Sequence, residues 1–148
     1  MELVSKFAES LKDLMYDKQL TVEKLSNDIE MSGGGIYAWL TGKSKYLPSI
    51  TSLLTLADYF NCSVDYLVGI EQINYPPKPK PHPNFSSWFR QAIEAKGYNL
   101  NKLQNATKIH TGNFYKWINN NGEPSLDSLV RIAKVLDCSI DYLLGRGE

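Results

Sequence analysis

The chain has 148 residues, 43% of them hydrophobic, and its sixteen Lys+Arg balance sixteen Asp+Glu to give no formal net charge. That length suits one ordinary domain or two small ones of roughly 65 residues, near the lower limit of what folds without staples. The neutral balance does not mark the whole molecule as a polyanion binder, and the sequence shows neither a long apolar segment nor a charged-then-apolar start, so a cytoplasmic chain without membrane span or signal peptide is expected.

Val4, Phe7, Ala8, Leu11, Leu14 and Met15 keep helical spacing and predict a first helix over 4–17 with one buried face. Gln19-Leu20-Thr21 breaks it, and Thr21 is a suitable cap for a second helix from Val22 to about Ile29, with Leu25 and Ile29 inward. Met31-Ser32 forms a tight turn, and Ser32 caps a third helix ending near Leu40, where Thr41-Gly42 stops it. This helix opens on Gly33-Gly34-Gly35, although each glycine costs about 1 kcal/mol against alanine in a helix interior. A basic and polar loop, Lys43 to Tyr46, leads to Pro48-Ser49, a start signal for a fourth helix with Leu53, Leu56, Ala57 and Phe60 inward. Ser63 caps a short fifth helix ending at Gly69.

Residues 71–83 carry five prolines in eight positions, from Pro76 to Pro83. Such a run precludes helix and sheet and favours an extended polyproline conformation. At about 3.1 Å per residue it would reach roughly 40 Å, as a semi-rigid spacer or as a proline-rich ligand for another domain.

The plan then repeats. Trp88, Phe89, Ala92 and Ile93 give the next helix its apolar face, and Gly97 ends it. Asn99 caps a helix with Leu100, Leu103 and Ala106 as apolar positions, and another starts near His110 or Thr111 and runs to Ile118. Asn119 to Glu123 is a polar turn, Pro124-Ser125 opens a helix with Leu129, Ile132, Ala133 and Leu136 inward, and Ser139 caps a last one stopping at Gly145. Ile36-Tyr37-Ala38-Trp39-Leu40 answers to Phe114-Tyr115-Lys116-Trp117-Ile118, and the run ending Cys62-Ser63-Val64-Asp65-Tyr66-Leu67-Val68-Gly69 answers to Cys138-Ser139-Ile140-Asp141-Tyr142-Leu143-Leu144-Gly145. The tryptophans stand 78 positions apart and the cysteines 76, so the copies differ by two residues in the loop between tryptophan and proline. An all-α chain of two five-helix domains, 1–70 and 84–148, joined by the linker 71–83, is the expected organisation.

The two copies differ in charge. Residues 1–70 hold six Lys against nine Asp+Glu, a net −3, whereas residues 84–148 hold eight Lys+Arg against six Asp+Glu, a net +2. Cys62 and Cys138 occupy matching places. Each reads as a small buried residue before a helix cap, because a bridge would have to join the units and a metal site needs more ligands than lie near. No metal or other cofactor is expected.

Five short helices with a tight turn between the second and third form a helix-turn-helix arrangement. Leu20-Thr21 before Val22-Glu23-Lys24-Leu25, the run Ile36 to Lys43, the two Pro-Ser pairs and the Ser-(Val/Ile)-Asp-Tyr-Leu-x-Gly endings carry a resemblance. Each unit resembles the Cro/phage-repressor type of helix-turn-helix domain, also called the xenobiotic-response-element family, and the likeness covers nearly the whole chain outside the linker. It implies sequence-specific binding of double-stranded DNA and regulation of transcription, in the style of a phage or mobile-element repressor. The third helix of such a domain enters the major groove and its first residues reach base edges. Carried onto this chain, those positions are Gly33, Gly34, Gly35, Tyr37 and Ala38 in the first unit and Thr111, Gly112, Asn113, Tyr115 and Lys116 in the second. Lys43 and Lys45 read either as phosphate contacts from the loop or as solvated charges.

The copies depart from the pattern differently. Asn113 and Lys116 supply groups that match adenine and guanine edges. The first unit offers three glycines and Ala38, with Tyr37 as the only large group, and its acidity opposes phosphate. Val22 and Leu100 stand where the family commonly has a phosphate-binding glutamine, a role neither aliphatic side chain can fill. The glycine triplet admits three readings: a smooth face for a protein partner or a second copy of the chain, a loose helix start that orders on DNA, or drift in a unit that lost its reading role. Trp39 and Trp117 read as core or semi-core, and Tyr66 and Tyr142 as packing for the fifth helix. The competing functional class is a protein-interaction module of antitoxin-like, inhibitory or adaptor type. No enzyme reading emerges: His82 and His110 are the only histidines, no carboxylate pair is fixed by spacing, and the glycine triplet lacks the strand and lysine of a nucleotide loop.

Overall fold

The computed structural model describes residues 2–42, 48–71, 85–119 and 124–146. The chain divides into two compact units, Met1–Pro76 and Pro77–Glu148. Among the described residues there are ten helices and no strand: α1 (Glu2–Asp17), α2 (Val22–Ile29), α3 (Gly33–Thr41), α4 (Ile50–Phe60) and α5 (Val64–Leu67), then α6 (Phe85–Ala95), α7 (Leu100–Thr107), α8 (Thr111–Asn119), α9 (Leu126–Leu136) and α10 (Ile140–Leu143). Linker residues 72–83 with Asn84, the loop 43–47 with Lys43 and Lys45, the polar turn 120–123 and the Val4 side chain lie outside the described residues.

The helix starts are chemical. The first turn of a helix leaves backbone N–H groups without intrahelical acceptors, and a side-chain oxygen just before it accepts one of them. Thr21 Oγ1 accepts from Lys24 N at 3.1 Å, Ser49 Oγ from Ser52 N at 3.1 Å and Ser63 Oγ from Tyr66 N at 3.0 Å. In the second unit Asn99 Oδ1 accepts from Lys102 N at 2.8 Å, Ser125 Oγ from Ser128 N at 3.2 Å and Ser139 Oγ from Tyr142 N at 2.9 Å. The turn into the third helix is made by a left-handed residue, Glu30 (φ 57°) in one unit and Lys108 (φ 63°) in the other, whose N–H reaches Ser26 O or Gln104 O. Thr41 is the last residue of α3, and the left-handed Gly42 ends the helix.

Each unit closes on its own core. In the first, Phe7, Leu11, Leu25, Ile36, Leu53, Leu56 and Leu67 are buried, and Trp39 stands half-buried with its ring edge-on to Phe7 at 5.8 Å. In the second, Phe89, Phe114 and Trp117 form a buried trio: Phe89 stacks on Phe114 at 6.3 Å and Trp117 meets both edge-on, at 6.2 and 5.2 Å. Side chains of this size contribute about 1.5–3 kcal/mol each on burial. The first and fifth helices are tied alike, at equivalent places. Ser10 Oγ donates to Tyr66 O at 3.3 Å, and Trp88 Nε1 to Tyr142 O at 2.7 Å, where the two rings also meet at 5.7 Å. The Tyr142 ring thus serves helix packing, as expected.

Some expectations are corrected. Ala106 is exposed, and Thr107 is buried in its place; its hydroxyl donates to Leu103 O at 2.7 Å, which removes the cost of hiding a polar group. Ile29 is half-buried. Cys62 is buried as expected, but Cys138 is half-buried. At the end of each unit the usual preference is reversed: Ile70 is 42% exposed, whereas Arg146, its counterpart, is 3% exposed and meets Asp141 at 2.7 Å. On α2 and α4, Tyr59 donates to Asp28 at 2.6 Å, and that bond, with a second from Lys24 at 3.0 Å, holds the Asp28 carboxyl below its ordinary pKa while pushing the Tyr59 phenol up.

Two stability predictions follow from this packing. Removing the carboxylate with Asp141→Ala leaves the Arg146 charge buried without it, and chemical denaturation should show a loss of about 3–5 kcal/mol in the second unit. Alanine at glycine should act with opposite signs within the first unit. At Gly35 a Cβ meets nothing within 4 Å, and at Gly34 only Ser32 Oγ at 3.6 Å, so each replacement should stabilise by about 0.4–1 kcal/mol. At Gly69, with φ +83° and a Cβ 2.6 Å from that of Lys6, alanine should destabilise.

Candidate nucleic-acid interface

Helix α3 packs on α1 and α2, and α8 packs on α6 and α7. Because each turn of helix has 3.6 residues, burying positions three apart turns the opposite side outward. In α8 the buried pair is Phe114 and Trp117, and the outward side chains are Asn113, Tyr115 (52% exposed) and Lys116. Thr111 and Gly112 are half-buried at the helix start. The structure therefore gathers the five expected residues of the second unit on one helix, three of them fully on its solvent side. In α3 Ile36 is buried, Gly34, Gly35 and Tyr37 (61% exposed) face solvent, and Gly33 and Ala38 are half-buried. Tyr37 is the one large side chain exposed on α3.

The two helix starts are built from different parts. In α3, Ser32 Oγ accepts from Gly35 N at 3.5 Å, a long bond, and Ser26 Oγ donates to Met31 O just ahead of it. None of the three glycines stands at a positive φ, and a Cβ on Gly33 would come no closer than 3.8 Å to Val22. Neither sterics nor backbone conformation demands glycine there. In α8 the residue matching Ser32 is His110, whose Nδ1 accepts from Gly112 N at 3.0 Å while its carbonyl accepts from Asn113 N at 3.0 Å. Gly112 gives the ring room, since a Cβ there would sit 3.1 Å from Nδ1. Thr111 Oγ1 also donates to Gln104 Oε1, fastening α8 to α7 at the position where the first unit has Gly33 and Ser26.

Val22 and Leu100 are half-buried at the starts of α2 and α7, one step after their capping residues. Lys102, exposed in the first turn of α7, and His110 and Lys108, exposed at the turn, are further polar groups on this side of the second unit that spacing alone does not single out. The signal for His110 is its alignment with Ser32, a capping residue. Among the described residues no group of three or more His, Cys, Asp or Glu is placed to hold a metal ion, and no helix is long and apolar enough to cross a membrane.

The geometry is that of two helix-turn-helix units, and comparison with known families agrees. The profile of the Cro/C1-type helix-turn-helix DNA-binding domain matches the chain twice, over residues 10–72 and 89–146. Searches of curated proteins and of solved structures returned no match. The two matches cover most of the chain, which belongs to the Cro/C1-type helix-turn-helix family and is a DNA-binding transcription regulator built from two such domains in tandem.

Proposed function

We propose that the chain is a repressor of the phage or mobile-element style, which reads DNA with the third helix of each domain and draws most of its specificity from the second. The carrying observation is the contrast between the outward faces of α8 and α3: Asn113, Tyr115 and Lys116 on one, Gly34, Gly35 and Tyr37 on the other. Base edges in the major groove are discriminated by paired donors and acceptors, which Asn and Lys carry and glycine lacks. In this reading Thr111, Gly112, Asn113, Tyr115 and Lys116 face the groove in the second domain. Gly33, Gly34, Gly35 and Tyr37 approach it in the first, with Lys43 and Lys45 on the phosphates. The net +2 of residues 84–148 against −3 for residues 1–70 favours the same ranking.

The domain limits in this proposal are 1–70 and 84–148, with 71–83 as linker; the division into compact units at Pro76 and Pro77 supports them. Regulation would act by occlusion or recruitment at a promoter. A single chain with two unlike readers suits an asymmetric site of two neighbouring half-sites, about 34 Å from centre to centre, which thirteen linker residues can reach. The exposed Tyr37 beside bare glycines keeps a second reading in view, in which α3 docks a protein partner or a second copy of the chain.

Selection of duplexes from a random library, followed by binding assays on variants, tests this. A defined sequence should be enriched. Asn113→Ala and Lys116→Ala should each lose about 1–3 kcal/mol of binding and relax specificity at one base position, and Tyr37→Ala should lose less. Equal losses for Asn113→Ala and Tyr37→Ala would contradict the unequal division, and no enrichment with no binding at low salt would remove the DNA reading in favour of the docking one.

A further inference from the structure

The one histidine among the described residues sits at the start of the helix assigned to base reading. A backbone N–H can only donate, so the 3.0 Å bond from Gly112 N makes His110 Nδ1 an acceptor. A neutral imidazole carries its proton on the other nitrogen, and that tautomer is thereby fixed as Nε2–H. The ring lies close to Gly112, where a Cβ would meet Nδ1 at 3.1 Å and Cε1 at 3.4 Å. His110 is exposed, and among the described residues nothing accepts from Nε2. The result is a preset N–H donor held at the edge of α8, with the cation of Lys108 exposed two residues before it.

We propose that His110 is a DNA-contacting residue whose Nε2–H donates to a backbone phosphate oxygen. This rests on the reading of α8 as the helix that faces DNA. Phosphate oxygens are acceptors, and contacts to them fix the register of a protein on the duplex without reading sequence. The second domain needs such a donor because Leu100, at the start of α7, has none to offer. In the first domain Ser32 holds the equivalent place, and its hydroxyl, which accepts from Gly35 N, lies closer to the backbone than an imidazole Nε2 would. Exchange of serine for histidine between the copies thus retains the cap and adds a phosphate grip, in the domain that also carries Asn113 and Lys116. It fits Gly112 as well, since a Cβ there would sit 3.1 Å from Nδ1 and the ring would have to give by a few tenths of an ångström.

The test separates the two jobs of the ring. In the full chain at pH 8, His110→Asn keeps an oxygen that can cap α8 but exchanges the far Nε2–H for an amide N–H that lies closer to the backbone, and His110→Ser installs the residue of the first domain. Both should keep the helix content and unfolding midpoint of the parent by circular dichroism. Both should bind about fivefold more weakly, the effect of one neutral hydrogen bond, and by the same factor on the selected duplex and on an unrelated one. Unchanged affinity in both variants would show that His110 only caps the helix and would overturn the proposal. A loss confined to the selected duplex would overturn the phosphate assignment in favour of a base contact. If Asn113→Ala and Lys116→Ala, measured alongside, leave binding intact as well, the failure belongs to the reading of α8 itself; if they weaken it while the His110 variants do not, it belongs to His110 alone.

Discussion

The outward face of the third helix in each domain depends on what its inward face is pinned to. In the second domain Phe114 and Trp117 sink into contact with Phe89 on α6, the three rings lying within 6.3 Å of one another. A close-packed aromatic cluster tolerates little rotation of the helix that supplies two of its members, because turning the helix would expose one ring and collide the other. The direction of Asn113, Tyr115 and Lys116 is therefore a consequence of the core. The first domain makes the same attachment with lighter parts, Ile36 in place of Phe114 and a half-buried Trp39 against Phe7. Its helix carries almost nothing outward that needs orienting, apart from Tyr37.

The second constraint lies at the helix starts. Short helices gain little from propensity alone, and caps decide where they begin. Seven of the ten have a serine, threonine or asparagine accepting from their first turn. The eighth helix uses histidine instead, and it has the further tie between Thr111 and Gln104. One copy of the repeat thus has a fastened third helix, and the other has a third helix that opens on three glycines which its packing does not require. Within a single chain the same scaffold is built with two different helix starts.

Much of this was legible in the sequence, for physical reasons that can be named. Helix boundaries follow from caps such as Thr21, Ser63 and Asn99, which act locally, and from Gly42 and Gly145, which stop helices by their backbone freedom. The exposed members of α3 and α8 follow from the 3.6-residue period. What was hidden depends on partners distant in kind or in place. Thr107 is buried in place of Ala106 because its hydroxyl bonds to its own helix, which no hydropathy pattern expresses. Arg146 is buried against the ordinary ranking because it pairs with Asp141. His110 as a cap is a matter of ring geometry and was reached only through its alignment with Ser32.

The central claim is that the chain meets DNA chiefly through the start of α8. The most direct measurement is a titration of the full chain with its selected duplex, followed by backbone amide NMR shifts. The account predicts the largest changes at 110–116, smaller ones at 33–38, and little movement on α4 and α9. Shifts concentrated on α3, or on a face outside both reading helices, with α8 unmoved, would contradict it.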